Sequence, residues 1–386
     1  EKDNEVLKEL LFTYQLSYRN YIENLEKEYP EYYKLKYDSK IASIPELQAQ
    51  ISDNTAILSY FLGDEETFLF SITQDKVLVS RRPSSGKLER LLKGFSNAIR
   101  FKMETALTST SADLRDLLIP SLPSKINQLV IIPDGPLGKL PFEALISKKE
   151  NRFLLQNYRV SYDYSATLLL NRKKEDETES PQILLMAPVE FDNQDVNLGS
   201  LPGTREEIEE IALLFRGNNH KAALKIGPAA SESNLKNIPP EPYQFLHLAT
   251  HGVVNEFSPA LSRIFLTGGE DEDGSLYTGE IYNLKIDADL VTLSACETGL
   301  GKESKGEGIV GLSRALQYAG ANNIIVSLWQ VGDQSTSDLM IEFYKYYLHN
   351  THHGYNTALR QAKLSLLNSQ SYQSPYYWAP FILVGR

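Results

Sequence analysis

The chain has 386 residues, 42% hydrophobic and 23% charged, with a formal net charge of −11, enough to bury a large core in two packed regions or in one domain with an extension. The acidic balance, without a cluster of Lys and Arg, excludes a nucleic-acid surface and suits a basic protein substrate better. One cysteine permits no internal disulfide and fits a reducing cytoplasm, and neither an apolar run of about 18 residues nor a signal peptide points to a membrane or to export.

In chain order, Val6, Leu7, Leu10, Leu11, Tyr14, Tyr18, Tyr21, Ile22 and Leu25 recur at helical spacing over Glu1 to Glu28, and Pro30 ends the run. A shorter helix is expected over Glu31 to Tyr37 and a turn of helix over Glu46 to Gln50. Because the sequence starts inside an apparent helix, residues 1–50 read as a helical segment leading to a further domain upstream. Thr55 to Leu62, Thr67 to Thr73 and Lys76 to Arg82 alternate as strands of an antiparallel meander. Helices over Lys87 to Lys102 and Ser111 to Ile119, a strand over Gln128 to Ile132, a turn at Pro133 to Pro136, a short helix near Phe142 to Ile146, a strand over Tyr158 to Tyr164 and a helix over Ala166 to Asn171 complete a first region, 51–171.

Arg172 to Ser180 is charged and free of apolar anchors, so it reads as a surface linker and a possible site of processing. From 181 to 386 strands and helices alternate regularly. Strands are expected over Ile183 to Ala187, Ala222 to Lys225, Tyr243 to Ala249, Leu261 to Leu266, Leu290 to Leu293, Asn323 to Leu328 and Phe381 to Val384. The helices between them run over Thr204 to Phe215, Ser231 to Asn237, Thr278 to Tyr282, Gly308 to Ala319, Gln334 to Leu348 and Tyr355 to Leu367. This rhythm predicts an α/β fold with a mostly parallel sheet covered on both faces.

The chemistry gathers at two strand ends. Leu290 to Leu293 is followed by Ser294, Ala295 and Cys296, then by a loop of glycine and charge, Glu297 to Glu307, that reads as a flexible segment able to order around a site. Tyr243 to Ala249 is followed by Thr250, His251 and Gly252. Cysteine at neutral pH is only a few per cent thiolate and needs a base, and His251 is the best candidate. An oxyanion formed by its attack would be held by the backbone N–H groups of Cys296 and Gly252, with a weaker contribution from the dipole of a helix starting near Gly308. A zinc site of His247, His251 and Cys296 is the metal alternative, but no further ligand has recognisable spacing. His247 reads instead as a hydrogen-bonded core residue, and His220, His349, His352 and His353 as solvated. Neither a phosphate-binding glycine loop nor a Gly-x-Ser-x-Gly elbow is present, so no cofactor is expected.

HLATHG (His247 to Gly252), LVTLSACETGLG (Leu290 to Gly301) and GEGIVGLSRALQYAGANNIIVSLWQVGDQST (Gly306 to Thr336) resemble the CHAT domain, a caspase-like cysteine peptidase domain often attached to tetratricopeptide repeats. PDGPLGKLPFEAL (Pro133 to Leu145), LPGTREEI (Leu201 to Ile208) and YYWAPFILVG (Tyr376 to Gly385) extend the similarity from about Thr55 to the end. The resemblance implies the caspase-haemoglobinase fold with His251 and Cys296 as catalytic dyad. Its Ser294-Ala295-Cys296-Glu297-Thr298-Gly299 keeps the caspase signature only in part, so aspartate specificity is not implied. LWQVGD (Leu328 to Asp333) is also similar to separase, which implies Asp333 as the base of a pocket for Arg or Lys at the cleavage position. The other reading of Asp333 is the N-cap of the helix that follows it.

The expectation is therefore a cytoplasmic cysteine endopeptidase in residues 181–386, acting on a protein substrate and held in check by an upstream repeat or regulatory module, with neither nucleic acid nor membrane as a partner. The alternative is a non-catalytic scaffold or binding module that keeps the fold. An acyltransferase using the same thiol lacks any readable carrier or cofactor pocket.

Overall fold

The computed structural model describes residues 13, 14, 16, 17, 20, 41–83, 86–173, 180–191, 198–238, 243–255, 258–294, 301–304, 308–349 and 354–386. The chain divides into two units, Glu1–Ala42 and Ser43–Arg386. In the first, residues 13, 14, 16, 17 and 20 are helical, and the remainder of the two helices expected before residue 38 lies outside the described residues.

The second unit opens with α1 (Ile44–Gln50), started by a capping box between Ser43 and Glu46. The alternating segments form the expected meander, β1 (Thr55–Leu62), β2 (Glu66–Thr73) and β3 (Val77–Pro83). Next come α2 (Lys87–Arg100), α3 (Glu104–Leu118), β4 (Gln128–Ile132) and two 3-10 turns, Gly135–Lys139 and Phe142–Ala144. A small hairpin of β5 (Ile146–Ser147) and β6 (Arg152–Phe153) leads through α4 (Leu154–Asn157) to β7 (Arg159–Tyr162) and α5 (Ala166–Asn171). The following stretch holds β8 (Gln182–Ala187), α6 (Pro202–Gly217), β9 (Lys221–Ile226), α7 (Glu232–Lys236) and β10 (Phe245–Leu248). A three-stranded insert, β11 (Gly252–Val253), β12 (Arg263–Phe265) and β13 (Ser275–Tyr277), precedes α8 (Thr278–Ile281) and β14 (Leu290–Leu293). The chain closes with β15 (Gly301–Ser304), β16 (Gly308–Gly311), α9 (Leu312–Tyr318), β17 (Asn323–Ser327), α10 (Asp333–His349), α11 (Gly354–Leu367), α12 (Pro375–Trp378) and β18 (Phe381–Val384).

One eleven-stranded sheet runs through the unit in the order β3-β2-β1-β4-β7-β18-β17-β14-β10-β8-β9. It has two parallel blocks, β1-β4-β7-β18 and β17-β14-β10-β8-β9. They join through the antiparallel pair β17–β18. Strands inside such a sheet are covered on both faces and so read as continuous apolar runs, as LVTL and NIIVS do; both are buried throughout. Among the described residues no helix is long and apolar enough to cross a membrane.

Three local expectations are corrected. Gly308–Gly311 is a strand paired with Gly301–Ser304 rather than the start of a helix, so α9 begins only at Leu312 and has 7 residues; of the loop expected over Glu297 to Glu307, residues 297–300 and 305–307 lie outside the described residues. Arg172 is not part of a solvated linker. It is buried, its Nε lies 2.5 Å from Asp163, and its guanidinium also donates to the Asn322 carbonyl, so the charge is compensated where it sits. His220 is half-buried against Phe215 at 6.2 Å between rings, its Nδ1 has no hydrogen-bond partner among the described residues, and burial lowers its pKa. His349 is exposed at the end of α10, as expected, while His352 and His353 lie outside the described residues.

A buried ion pair ties α11 to the first half of the sheet. Lys363 Nζ is 2.7 Å from Glu143 with both side chains at most 2% exposed, and the Tyr162 hydroxyl donates to the same carboxylate. Burial lowers the Lys363 pKa, and Glu143 works against that by stabilising the ammonium. Lys363→Met is expected to cost about 3 kcal/mol in urea unfolding, because it strands a buried carboxylate. Adding Glu143→Gln should restore at least half of the loss. A single variant as stable as the wild type would contradict this account.

Candidate active site

β10 and β14 are neighbours and parallel, with His247 opposite Thr292 and Leu248 opposite Leu293. The ladder continues by one bond, from Ser294 N–H to the Leu248 carbonyl at 3.0 Å. His251 and Cys296 each lie three residues beyond the Leu248–Leu293 pair. Cys296 itself is outside the described residues.

The exit of β10 is fixed from both sides. Ala249 N–H donates to Met186 at the end of β8 at 2.9 Å, the buried Thr250 hydroxyl donates to the Phe265 carbonyl, and Phe265 N–H donates to the His251 carbonyl at 2.9 Å. The imidazole is thereby held in a partly exposed position, with Nε2 2.8 Å from the Gly199 carbonyl oxygen. A carbonyl only accepts, so Nε2 carries the hydrogen and the neutral ring has its lone pair on Nδ1, as a general base requires. The Phe191 ring packs on the imidazole at 4.7 Å between centroids. Neither Gly199 nor Phe191 stood out in the sequence: a backbone carbonyl can come from any residue type, and one phenylalanine among 15 carries no signal.

His247 is fully engaged elsewhere. Its Nε2 is 2.8 Å from Glu207 of α6 and its Nδ1 is 3.3 Å from the Tyr344 hydroxyl of α10, which also meets Thr292 at 3.1 Å. A chain of donors from Thr292 through Tyr344 and His247 to Glu207 satisfies both ring nitrogens, which leaves neither for a metal. The one cluster of potential metal ligands among the described residues, Glu232, Glu272 and Glu280, encloses the Lys236 ammonium at 2.7 to 2.8 Å.

At the carboxyl ends of β10, β14 and β17 lies a cavity of about 180 Å³ lined by Thr250, Ser294, Ser327, Gln330, Asp333 and Phe381, among others. Ser294 Oγ is buried there with no hydrogen-bond partner among the described residues. Asp333 is half-buried, and its Oδ2 accepts from Gly203 N–H at 2.8 Å in the first turn of α6. Its carboxylate thus caps a helix, though not the one it starts, and favours the positive N-terminal end of α6. This contact also accounts for the glycine of Leu201-Pro202-Gly203-Thr204, since a Cβ there would stand 2.6 Å from Asp333 Oδ2. Gly252 is buried at the start of β11, where its Cα pairs with Ile264.

Residues 108–386 match the family described as the CHAT domain. Tetratricopeptide repeat protein 28 of Homo sapiens is 26% identical over 160 residues, 41% of this chain and 6% of that protein. Its counterpart in Mus musculus is 28% identical over 110 residues, 28% of this chain and 4% of that protein. The chain therefore spans a small part of the length of these curated relatives. Among solved structures it is similar to a chain of the Saccharomyces cerevisiae separase–securin complex, with TM-score 0.56 and 10% identity over 88% of this chain and 31% of the other. The fold is caspase-like, with the large, mostly parallel sheet expected from the strand and helix rhythm, and the chain belongs to the CHAT domain family.

Gly203→Ala is expected to displace the Asp333 carboxylate and to lower stability by about 1 to 2 kcal/mol, the usual cost of overpacking. Calorimetry of the variant showing wild-type stability would contradict the contact.

Proposed function

We propose that this CHAT-family chain is a cysteine endopeptidase of protein substrates, with Cys296 as nucleophile and His251 as general base and then general acid. The observation that carries the reading is the Gly199 carbonyl on His251 Nε2, which leaves a basic Nδ1 at the end of a strand adjacent and parallel to the one that leads to Cys296. Nδ1 takes the thiol proton, and the sulfur attacks the scissile carbonyl carbon. The oxyanion is held by the backbone N–H groups of Cys296 and Gly252. As the C–N bond breaks, Nδ1–H gives its proton to the leaving amine, and a thioester remains. Water then attacks the thioester, Nδ1 takes its proton, and the C–S bond breaks to release the acid and the thiol.

Asp333 is proposed to receive Lys or Arg at the cleavage position. Gly203 N–H fixes one carboxylate oxygen in the 180 Å³ cavity, which Ser294 also lines, and leaves acceptor capacity on the other. Residues 181–386 would form the catalytic domain, 51–171 its N-terminal part, and 1–50 the link to an upstream repeat or regulatory module that controls activity in the cytoplasm. The tetratricopeptide repeat relatives and the securin bound to the separase relative are in keeping with such a partner.

A peptide library carrying all twenty residues at the cleavage position tests this directly. Wild type is expected to cut after Lys and Arg, and Cys296→Ala to cut nothing. Asp333→Asn keeps an acceptor for Gly203 and removes the charge; it should lose about 2 kcal/mol of transition-state binding, roughly 30-fold in kcat/KM on basic substrates, with little change in unfolding midpoint. Cleavage by Cys296→Ala would sink the peptidase reading, and an unchanged Asp333→Asn profile would sink the pocket assignment.

A further inference from the structure

A second, larger cavity of about 600 Å³ has Val189, Phe191, Pro228, Phe265, Leu266 and Arg205 among its walls. It shares no lining residue with the 180 Å³ cavity. A hydrogen bond links them, from the Thr250 hydroxyl, a wall of the small cavity, to the carbonyl of Phe265, a wall of the large one. Two walls of the large cavity also hold His251: the Phe191 ring packs on the imidazole at 4.7 Å, and Phe265 N–H binds the His251 carbonyl at 2.9 Å.

The backbone that forms this wall is strained. Val189, a β-branched and buried residue, has φ +68°, where such side chains are outliers. Glu190 N–H donates to the Pro188 carbonyl at 2.8 Å, closing a three-residue γ-turn of the rare strained hand, and Leu201 N–H ties the Val189 carbonyl at 2.9 Å. Strain of this kind persists only where the surroundings enforce it, and it clusters at ligand clamps. Here it turns the chain at the end of β8 so that Phe191 lies across the imidazole.

We infer that this cavity is the subsite for the residue immediately after the scissile bond and that it takes a large apolar side chain. The inference rests on the peptidase reading. The general acid must face the nitrogen of the leaving amine, so the residue bearing that nitrogen lies against the imidazole, and the cavity that shares walls with the imidazole is the one its side chain reaches. Six of the twelve lining residues, Pro188, Val189, Phe191, Pro228, Phe265 and Leu266, are apolar, which matches Leu, Met or Phe and leaves Gly without contact, and the carboxylates of Glu190 and Asp273 disfavour an acidic residue.

The test uses peptides with Lys at the cleavage position and all residues in the next one. Wild type should cleave those with Leu, Met or Phe roughly 10-fold or more faster in kcat/KM than those with Gly or Asp. Pro228 is exposed; Pro228→Trp should fill the cavity and abolish this preference by lowering kcat/KM on the Leu, Met and Phe peptides to that on the Gly peptide. Binding to Cys296→Ala, followed by fluorescence polarisation, should show the same Leu-over-Gly preference and the same loss in Cys296→Ala/Pro228→Trp. Cleavage with a flat profile, or a preference untouched by Pro228→Trp, would overturn the subsite alone; no cleavage of any peptide would overturn the peptidase reading and the subsite with it.

Discussion

Side-by-side parallel pairing of β10 with β14, Leu248 opposite Leu293, delivers whatever each strand carries at its carboxyl end to the same edge of the sheet. Antiparallel pairing of the same two segments would send His251 and Cys296 to opposite edges. Parallel neighbours require a crossover, and the 252–289 stretch supplies one, with the three short strands β11 to β13 and the turn of helix α8. Both strands are then buried on both faces, which is why their residues are apolar except where a polar side chain is fully paired. His247 and Thr292 are those exceptions, joined through Tyr344 to Glu207 beneath the site. Burial pushes the Tyr344 hydroxyl well above its ordinary pKa, so it stays a neutral hydrogen-bonding link.

Much of this was legible in the sequence because hydrophobic periodicity and strand-end breaks report burial and edges directly. The two strand ends, the meander and the mostly parallel sheet followed from that pattern, and the motifs around His251 and Cys296 carried the family resemblance. What escaped it has identifiable causes. The hydrogen bond that sets the His251 tautomer comes from the backbone of Gly199, and a carbonyl has no residue signature. In the hairpin of β15 and β16, Gly301–Ser304 falls in a stretch of glycine and charge that reads as a loop, and Gly308–Gly311 reads as the start of the helix that follows it. Arg172 looked solvated because its partner Asp163 and the Asn322 carbonyl meet it only in the folded chain. The antiparallel seam between β17 and β18, which makes one sheet of two parallel blocks, depends on a pairing that no local pattern encodes.

Around the candidate site the structure accepts conformational cost in return for geometry. Val189 holds an unfavourable φ, Ser294 Oγ and Glu207 Oε2 are buried without partners among the described residues, and Gly203 is kept free of a Cβ so that Asp333 can approach. Each feature is adverse or neutral for stability taken alone. Beside them, the Asp333 carboxylate held by Gly203, the imidazole held by the Gly199 carbonyl and the two separate cavities give the candidate site fixed groups, as a preorganised site needs.

The central claim is that His251 acts on Cys296. Because Cys296 is the only cysteine in the chain, the pH dependence of its alkylation by iodoacetamide reports that thiol alone. Wild type is predicted to react at neutral pH at least about tenfold faster than His251→Ala, whose thiol should behave as an unassisted one with a pKa near 8.5. Superimposable rate profiles for the two proteins would contradict the account.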